Sequence, residues 1–379
     1  MGKLDNDIIE SVPRQSTNST KWDKYHDDIL PMWVADMDFK SPTPIMDALH
    51  HRVNHGVFGY TDASQALQQA IIQNALTRYQ WSISGNEISY LPGLVCALHL
   101  CVRTLTENGD GVVVPGPVYQ NINKPVVDSG RQLHTVPMVL IDNRWVPDMD
   151  AFEQACAQAN SKLILLCNPH NPGGTVFTRQ ELLAMHTLAE KYNLFVVSDE
   201  IHCDLLLDEG LQHIPFASLN DDAAARTITL MAPSKTYNIA GLGLAYAIIK
   251  GNTLRTKFNK AKSGLLPAPN LLAMAATQAA YSQCQTWHDA LIKYLRKNRE
   301  LIHTRLADTQ CKMAKLEATY LAWIDVSHLN LEDTEAYFLA QKVAISPGKQ
   351  FGNSQFIRLN FGCSHQLLEQ ALVRLLPAL

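Results

Sequence analysis

A chain of 379 residues, 46% hydrophobic and 18% charged, holds ample material for a buried core, and its length suggests about two domains. Its 36 acidic and 32 basic residues, for a formal net charge of −4, are interspersed, which excludes a nucleic-acid arm and a polybasic lipid-binding patch. The start "MGKLDNDIIESVPRQ" has no signal-peptide stretch, Asn6 stands where myristoylation needs Ser or Thr, and no apolar run approaches the roughly 20 residues of a membrane span; a cytoplasmic enzyme-sized globule is expected.

In chain order, residues 1–45 read as an irregular segment ending in "PMWVADMDFKSPTP". The apolar spacing of "PIMDALHHRV" and "SQALQQAIIQNALTRY" predicts two helices, joined by "GVFGYTD". His51 and His55 have helical i, i+4 spacing but no acidic neighbour between them. Gly56 follows, so a helix C-terminus with a glycine cap is expected rather than a metal site. Short apolar runs then alternate with helical segments such as "TRQELLAMHTLAEKYN": "GVVVP" at 111–115, "KLILLC" at 162–167, "LFVVSD" at 194–199 and "RTITLMA" at 226–232. Continuous apolar strands are buried on both faces, the signature of a mostly parallel sheet covered by helices.

A long helical stretch over 271–306 leads to a smaller α+β unit, with strands in "YLAWIDV", "VAISPG" and "FIRLNFG" and a final helix in "HQLLEQALVRLLPAL". The expected organisation is an N-terminal segment (1–45) joining the small domain, a large domain (46–285) and a small C-terminal domain (286–379). The eight cysteines have no CxxC pair and no disulfide-framework spacing, and are read as reduced and mostly buried.

Ligands of open parallel sheets bind beyond the carboxyl ends of the strands. Three polar clusters fall there: "NPHNPGG" (168–174), "SDEIH" (198–202) and "PSKTYNIAGLG" (233–243). Lys235 is not a P-loop lysine, because Thr229 and Ser234 occupy the glycine positions that cradle phosphate. "GLGLAY" fails as a dinucleotide fingerprint at Tyr246. Asp199 and Glu200 end a buried strand, where a carboxylate needs a cation, either a protein side chain or a protonated ring nitrogen of a cofactor.

These three motifs in this order, with "FIRLNFG" (356–362) after them, resemble the fold-type I pyridoxal-phosphate enzymes of the aspartate aminotransferase superfamily. "WVADMDF", "GVFGYTD" and "PSKTYNIAGLG" resemble more narrowly its cystathionine β-lyase-like carbon–sulfur lyases, the MalY/PatB branch. The resemblance implies an α/β fold with a seven-stranded-type sheet, plus the smaller α+β domain. It implies pyridoxal 5′-phosphate bound to Lys235 as a Schiff base and Asp199 pairing with the ring nitrogen. Asn171 would donate to the phenolic oxygen and Tyr119 would stack on the ring. The phosphate would take the N–H groups of Gly93, Leu94 and Val95, with the Ser234 side chain. Tyr60 would reach the phosphate of a second subunit, so the site would be shared across a homodimer, and Arg358 would grip the substrate carboxylate.

Two departures bear on the activity. Many transaminases of the superfamily carry a tyrosine at the position of His202, facing the cofactor, and a phosphate-gripping arginine at the position of Gly243. Both losses favour β-elimination from cystathionine or another cysteine S-conjugate over amino transfer. An aminotransferase on the same scaffold is the alternative, and a chiefly regulatory protein-binding role is a third reading.

Overall fold

The computed structural model describes residues 9–379; the leader and myristoylation readings of residues 1–8 lie outside them. Among the described residues, fourteen strands occur in chain order. They are β1 Leu30–Pro31, β2 Ile88–Leu91, β3 Gly111–Gly116, β4 Gln132–Ile141, β5 Arg144–Pro147, β6 Ser161–Cys167, β7 Phe195–Asp199, β8 Thr227–Met231, β9 Ala245–Ile248, β10 Lys312–Met313, β11 Leu321–Asp325, β12 Val343–Ala344, β13 Ser346–Pro347 and β14 Phe356–Asn360.

The large sheet has the order β2-β9-β8-β7-β6-β3-β4-β5. Strands β4, β3, β6, β7 and β8 run parallel, while β9 and β5 run against their neighbours. Both faces are covered, and the period-2 alternation of strand side chains shows how. Val112, Val114, Leu163 and Leu165 enter one apolar cluster, with helices Leu94–Leu105 and Asn252–Lys262. Val113, Ile164 and Leu166 enter another, with helices Met149–Cys156 and Arg179–Lys191. The last of these helices starts at a capping box, Thr178 bonding the Glu181 N–H and Glu181 returning to Thr178.

The sheet has eight strands where seven were expected. The additional one, β5, returns from β4 through Asp142 and Asn143, both at positive φ (50° and 62°), the backbone of a tight two-residue hairpin. The helical stretch 271–306 is also two helices, Leu271–Gln283 and Gln285–Leu306, parted at Cys284; no Gly or Pro marks that break in the sequence. The four-stranded sheet β10-β11-β14-β13 is antiparallel. Leu30–Pro31 pair in parallel with Val343–Ala344. Helix Thr43–His55 ends on Gly56 at φ 77°, whose N–H bonds the Val53 carbonyl, as the glycine after His55 suggested. All eight cysteines are free thiols, seven of them buried.

Candidate active site

Strands β6, β7 and β8 are adjacent and parallel, so the segments that leave their carboxyl ends emerge side by side. They open into a cavity of about 350 Å³ lined by Asn171 and Cys167 after β6, Asp199 and His202 after β7, and Ser234 and Lys235 after β8. Gly93, Leu94 and Val95 line it from the start of helix Leu94–Leu105, Tyr119 from the end of the loop after β3, and Arg358 from β14. Ten of the eleven site residues expected from the sequence meet here. The eleventh, Tyr60, is fully exposed on the linker between the first two helices, beside Val57 and Phe58, each 59% exposed.

The two neighbouring acids divide sharply. Successive residues of a strand point to opposite faces, and Glu200 turns into the protein. There it accepts from His213 Nε2 (2.7 Å), Ser198 Oγ (2.8 Å) and the Phe216 N–H (3.0 Å). Asp199 faces the cavity. It accepts from the Ile201 N–H at 3.1 Å and has no ion pair among the described residues. Burial pushes its carboxyl up to about 7, with the charge of Glu200 adding to the effect. A buried acid with no cation bonded to it, facing a cavity shared with Lys235 and Arg358, fits a cationic group delivered by a ligand.

Lys235 donates from Nζ to the Ala35 carbonyl at 2.7 Å. Burial and the nearby Arg358 guanidinium bring its ammonium down to about 8, against the opposing charges of Asp36 and Asp199. Arg358 is 4% exposed. Its Nη1 donates to Asn171 Oδ1 (3.1 Å) and its Nη2 to the Trp33 carbonyl (3.1 Å), and its guanidinium lies 4.6 Å from the Phe351 ring centre. Its buried Nε has no partner among the described residues, nor has His202 Nδ1. Because Arg358 takes the oxygen of Asn171, the amide turns its NH2 as the free donor. Burial, then the charges of Lys235 and Arg358, hold His202 near 3, a neutral imidazole.

The anion end of the cavity is the N-terminus of helix Leu94–Leu105, capped by Gly93 without a side-chain bond; its first N–H groups have no intrahelical partners and favour a phosphate. Gly243 lines the same end at φ 70°. A Cβ there would lie 2.9 Å from the Pro92 carbonyl oxygen, so this backbone admits no side chain at the position without a shift. Gly243→Ala is expected to lower stability by about 1–2 kcal/mol in thermal or urea unfolding, from the left-handed backbone alone.

Sequence reading found less of the N-terminal segment. Trp33, Val34 and Ala35 of "WVADMDF" also line the cavity, and with them come Ser346, Gln120 and Gln350. The segment is docked by its backbone. Asn238, the last residue of "SKTYN", accepts from the Met37 N–H (3.0 Å) and donates to the Met37 and Phe39 carbonyls (2.8 Å each).

Residues 28–375 match the family described as aminotransferase class I and II. Cystathionine beta-lyase PatB of Bacillus subtilis is 40% identical, over 97% of this chain and 98% of its own. A solved structure described as OvoB superposes with a TM-score of 0.95 at 45% identity, covering 98% of each chain. Cystalysin of Treponema denticola, whose structure contains a pyridoxal 5′-phosphate cofactor, gives 0.94 at 30% identity over 98% of each chain.

Proposed function

The chain belongs to the aminotransferase class I and II family, and from that premise we propose that it is a pyridoxal-phosphate-dependent carbon–sulfur β-lyase. It cleaves cystathionine or a similar cysteine S-conjugate to a thiol, pyruvate and ammonia. The observation that carries this reading is the cavity in which Lys235, Asp199 and Arg358 converge with a helix N-terminus. The named lyases among its relatives and Gly243 in place of an arginine support elimination over amino transfer.

Pyridoxal phosphate, when bound, supplies an electron-withdrawing ring that stabilises negative charge at the substrate α-carbon. The residues present fit it. Asp199 would hold a protonated ring nitrogen, the Asn171 NH2 the phenolic oxygen, and Gly93, Leu94, Val95 and Ser234 the phosphate, with Tyr119 against the ring.

Arg358 has two donors for a substrate carboxylate and fixes the amino acid by that end. Lys235, as a neutral amine, then takes the α-proton. The electron pair left at Cα expels the thiolate from Cβ, and the remaining enamine hydrolyses to pyruvate and ammonia. His202, kept neutral by burial and by the charges of Lys235 and Arg358, adds no further cation to theirs, and burial with Arg358 brings the lysine ammonium down to about 8.

A homodimer completes the site in this reading. The exposed Val57, Phe58 and Tyr60 are a surface for a second copy, with Tyr60 reaching its phosphate end. Sedimentation at two chains' mass is the expected result. A cytoplasmic setting goes with eight free thiols. The deciding assay supplies cystathionine and measures thiol and pyruvate without added keto acid. Keto-acid-dependent amino transfer with no thiol release from any β-thio amino acid would sink the lyase reading.

A further inference from the structure

Residues 33–37 form no sheet, yet each of their carbonyls accepts from a side chain. Trp33 O takes Arg358 Nη2 (3.1 Å) and Ser346 Oγ (2.9 Å). Ala35 O takes Lys235 Nζ (2.7 Å) and Tyr320 Oη (3.1 Å). Val34 O and Asp36 O take Asn360 Nδ2, and Met37 O takes Asn238 and Arg14. Two of these carbonyls therefore share one pattern: one charged donor drawn from the active site and one neutral hydroxyl.

Both charged donors are also claimed by ligands. In the function proposed above, on which this inference rests, Arg358 turns to the substrate carboxylate and Lys235 engages the cofactor. A half-buried carbonyl that loses its charged donor keeps a protein hydrogen bond only through its second partner, and one such bond is worth about tenfold in an equilibrium. We propose that Ser346 and Tyr320 are positioning residues that keep the Trp33 and Ala35 carbonyls bonded while Arg358 and Lys235 leave them for substrate and cofactor.

Local structure supports both assignments. Ser346 on β13 is the register partner of Arg358 on β14, so hydroxyl and guanidinium rise from the same face onto one oxygen, 3.3 Å from each other. Tyr320 is 1% exposed and follows Thr319, a fully buried residue at φ 74°. A β-branched residue in the left-handed region is rare and persists only where its surroundings impose it. Here the Thr319 N–H bonds the Leu205 carbonyl (2.9 Å), and its Oγ1 accepts from the Leu321 N–H (3.2 Å). That backbone carries the phenol of Tyr320 to Ala35.

The test compares wild type with Tyr320→Phe, Ser346→Ala and Ser346→Thr. Cofactor-free protein is titrated with pyridoxal phosphate by absorbance, and the loaded enzyme is assayed with cystathionine. Tyr320→Phe is expected to weaken cofactor capture about tenfold, with KM unchanged. Ser346→Ala is expected to raise KM about tenfold, with kcat and cofactor affinity unchanged, and Ser346→Thr to restore KM. Unfolding temperatures of the cofactor-free variants stay near wild type, because Lys235 and Arg358 still hold both carbonyls there. Unchanged cofactor affinity in the first variant, unchanged KM in the second, or parallel loss of stability and every kinetic constant overturns the proposal. A wild type that takes up no cofactor overturns the proposed function as well, which separates the two failures.

Discussion

Lys235→Ala is expected to abolish thiol and pyruvate release, with a loss of at least about 10⁴-fold, the upper range for removing a positioned general base. It should also remove the absorbance of the bound cofactor's linkage to the protein. No neighbour can substitute. Asp199 and Arg358 are held for other partners, and His202 is a far weaker base than an amine, held near 3 by its burial beside two cations. The lysine is tuned for the task in wild type, since burial and Arg358 bring its ammonium down to about 8. The direction of the pH dependence follows: the free amine is the active form, so turnover limited by it falls as pH drops below about 8. Arg358→Lys, which keeps a cation but loses the two-pronged grip, should leave this pH limb in place while raising KM. Retained lyase activity in Lys235→Ala protein would remove the basis of the proposed function.

The second large effect is at Asp199. Asp199→Asn keeps the shape of the side chain and removes its charge, and the lyase rate should fall by about 10²–10³-fold, as for a buried ion pair stripped of one partner. Without cofactor the same change should act in the opposite sense on stability. The carboxyl is raised from 3.8 to about 7 by burial, so the folded protein binds a proton that the unfolded chain releases. Stability from this group is full below about pH 4 and is lost as pH rises through about 7. Cofactor-free Asp199→Asn is therefore expected to be more stable than cofactor-free wild type at pH 8, by on the order of 2–4 kcal/mol, and no more stable at pH 4. Urea unfolding at the two pH values measures this. A variant no more stable than wild type at pH 8 would mean that the charged acid is already satisfied by a cation within the protein.

Lys235, Asp199 and Asn171 could be placed together from the sequence for one physical reason, although their roles came from the resemblance. Each follows a strand whose apolar run is unmistakable, and adjacent parallel strands must deliver their carboxyl ends to the same edge of the sheet. Arg358 was found by resemblance, since an alternating strand does not reveal which face its arginine takes. The docking of residues 33–37 left no comparable trace. Trp33 and Arg358 are 325 positions apart, and a carbonyl that accepts a hydrogen bond imposes no choice of side chain on its own residue. Thr319 was hidden similarly, because threonine gives no sign that its backbone is left-handed. The hairpin of β4 and β5 could have been read from Asp142-Asn143 between two apolar runs; the break at Cys284 had no turn residue to announce it.

The docking of residues 33–37 also bears on how such an enzyme can diverge. Trp33 and Val34 line the cavity, the Trp33 indole being tied back by Nε1 to the Lys21 carbonyl and packed against Tyr25, while much of the grip on their segment comes from Ser346, Tyr320, Arg358, Asn360 and Asn238, far away in the chain. A substitution at Val34 can therefore reshape the cavity wall without touching that grip, whereas one at Trp33 also removes the indole's bond to Lys21. Substrate range can drift at position 34 at little cost to folding, whereas each gripping residue is tied to a carbonyl of the segment.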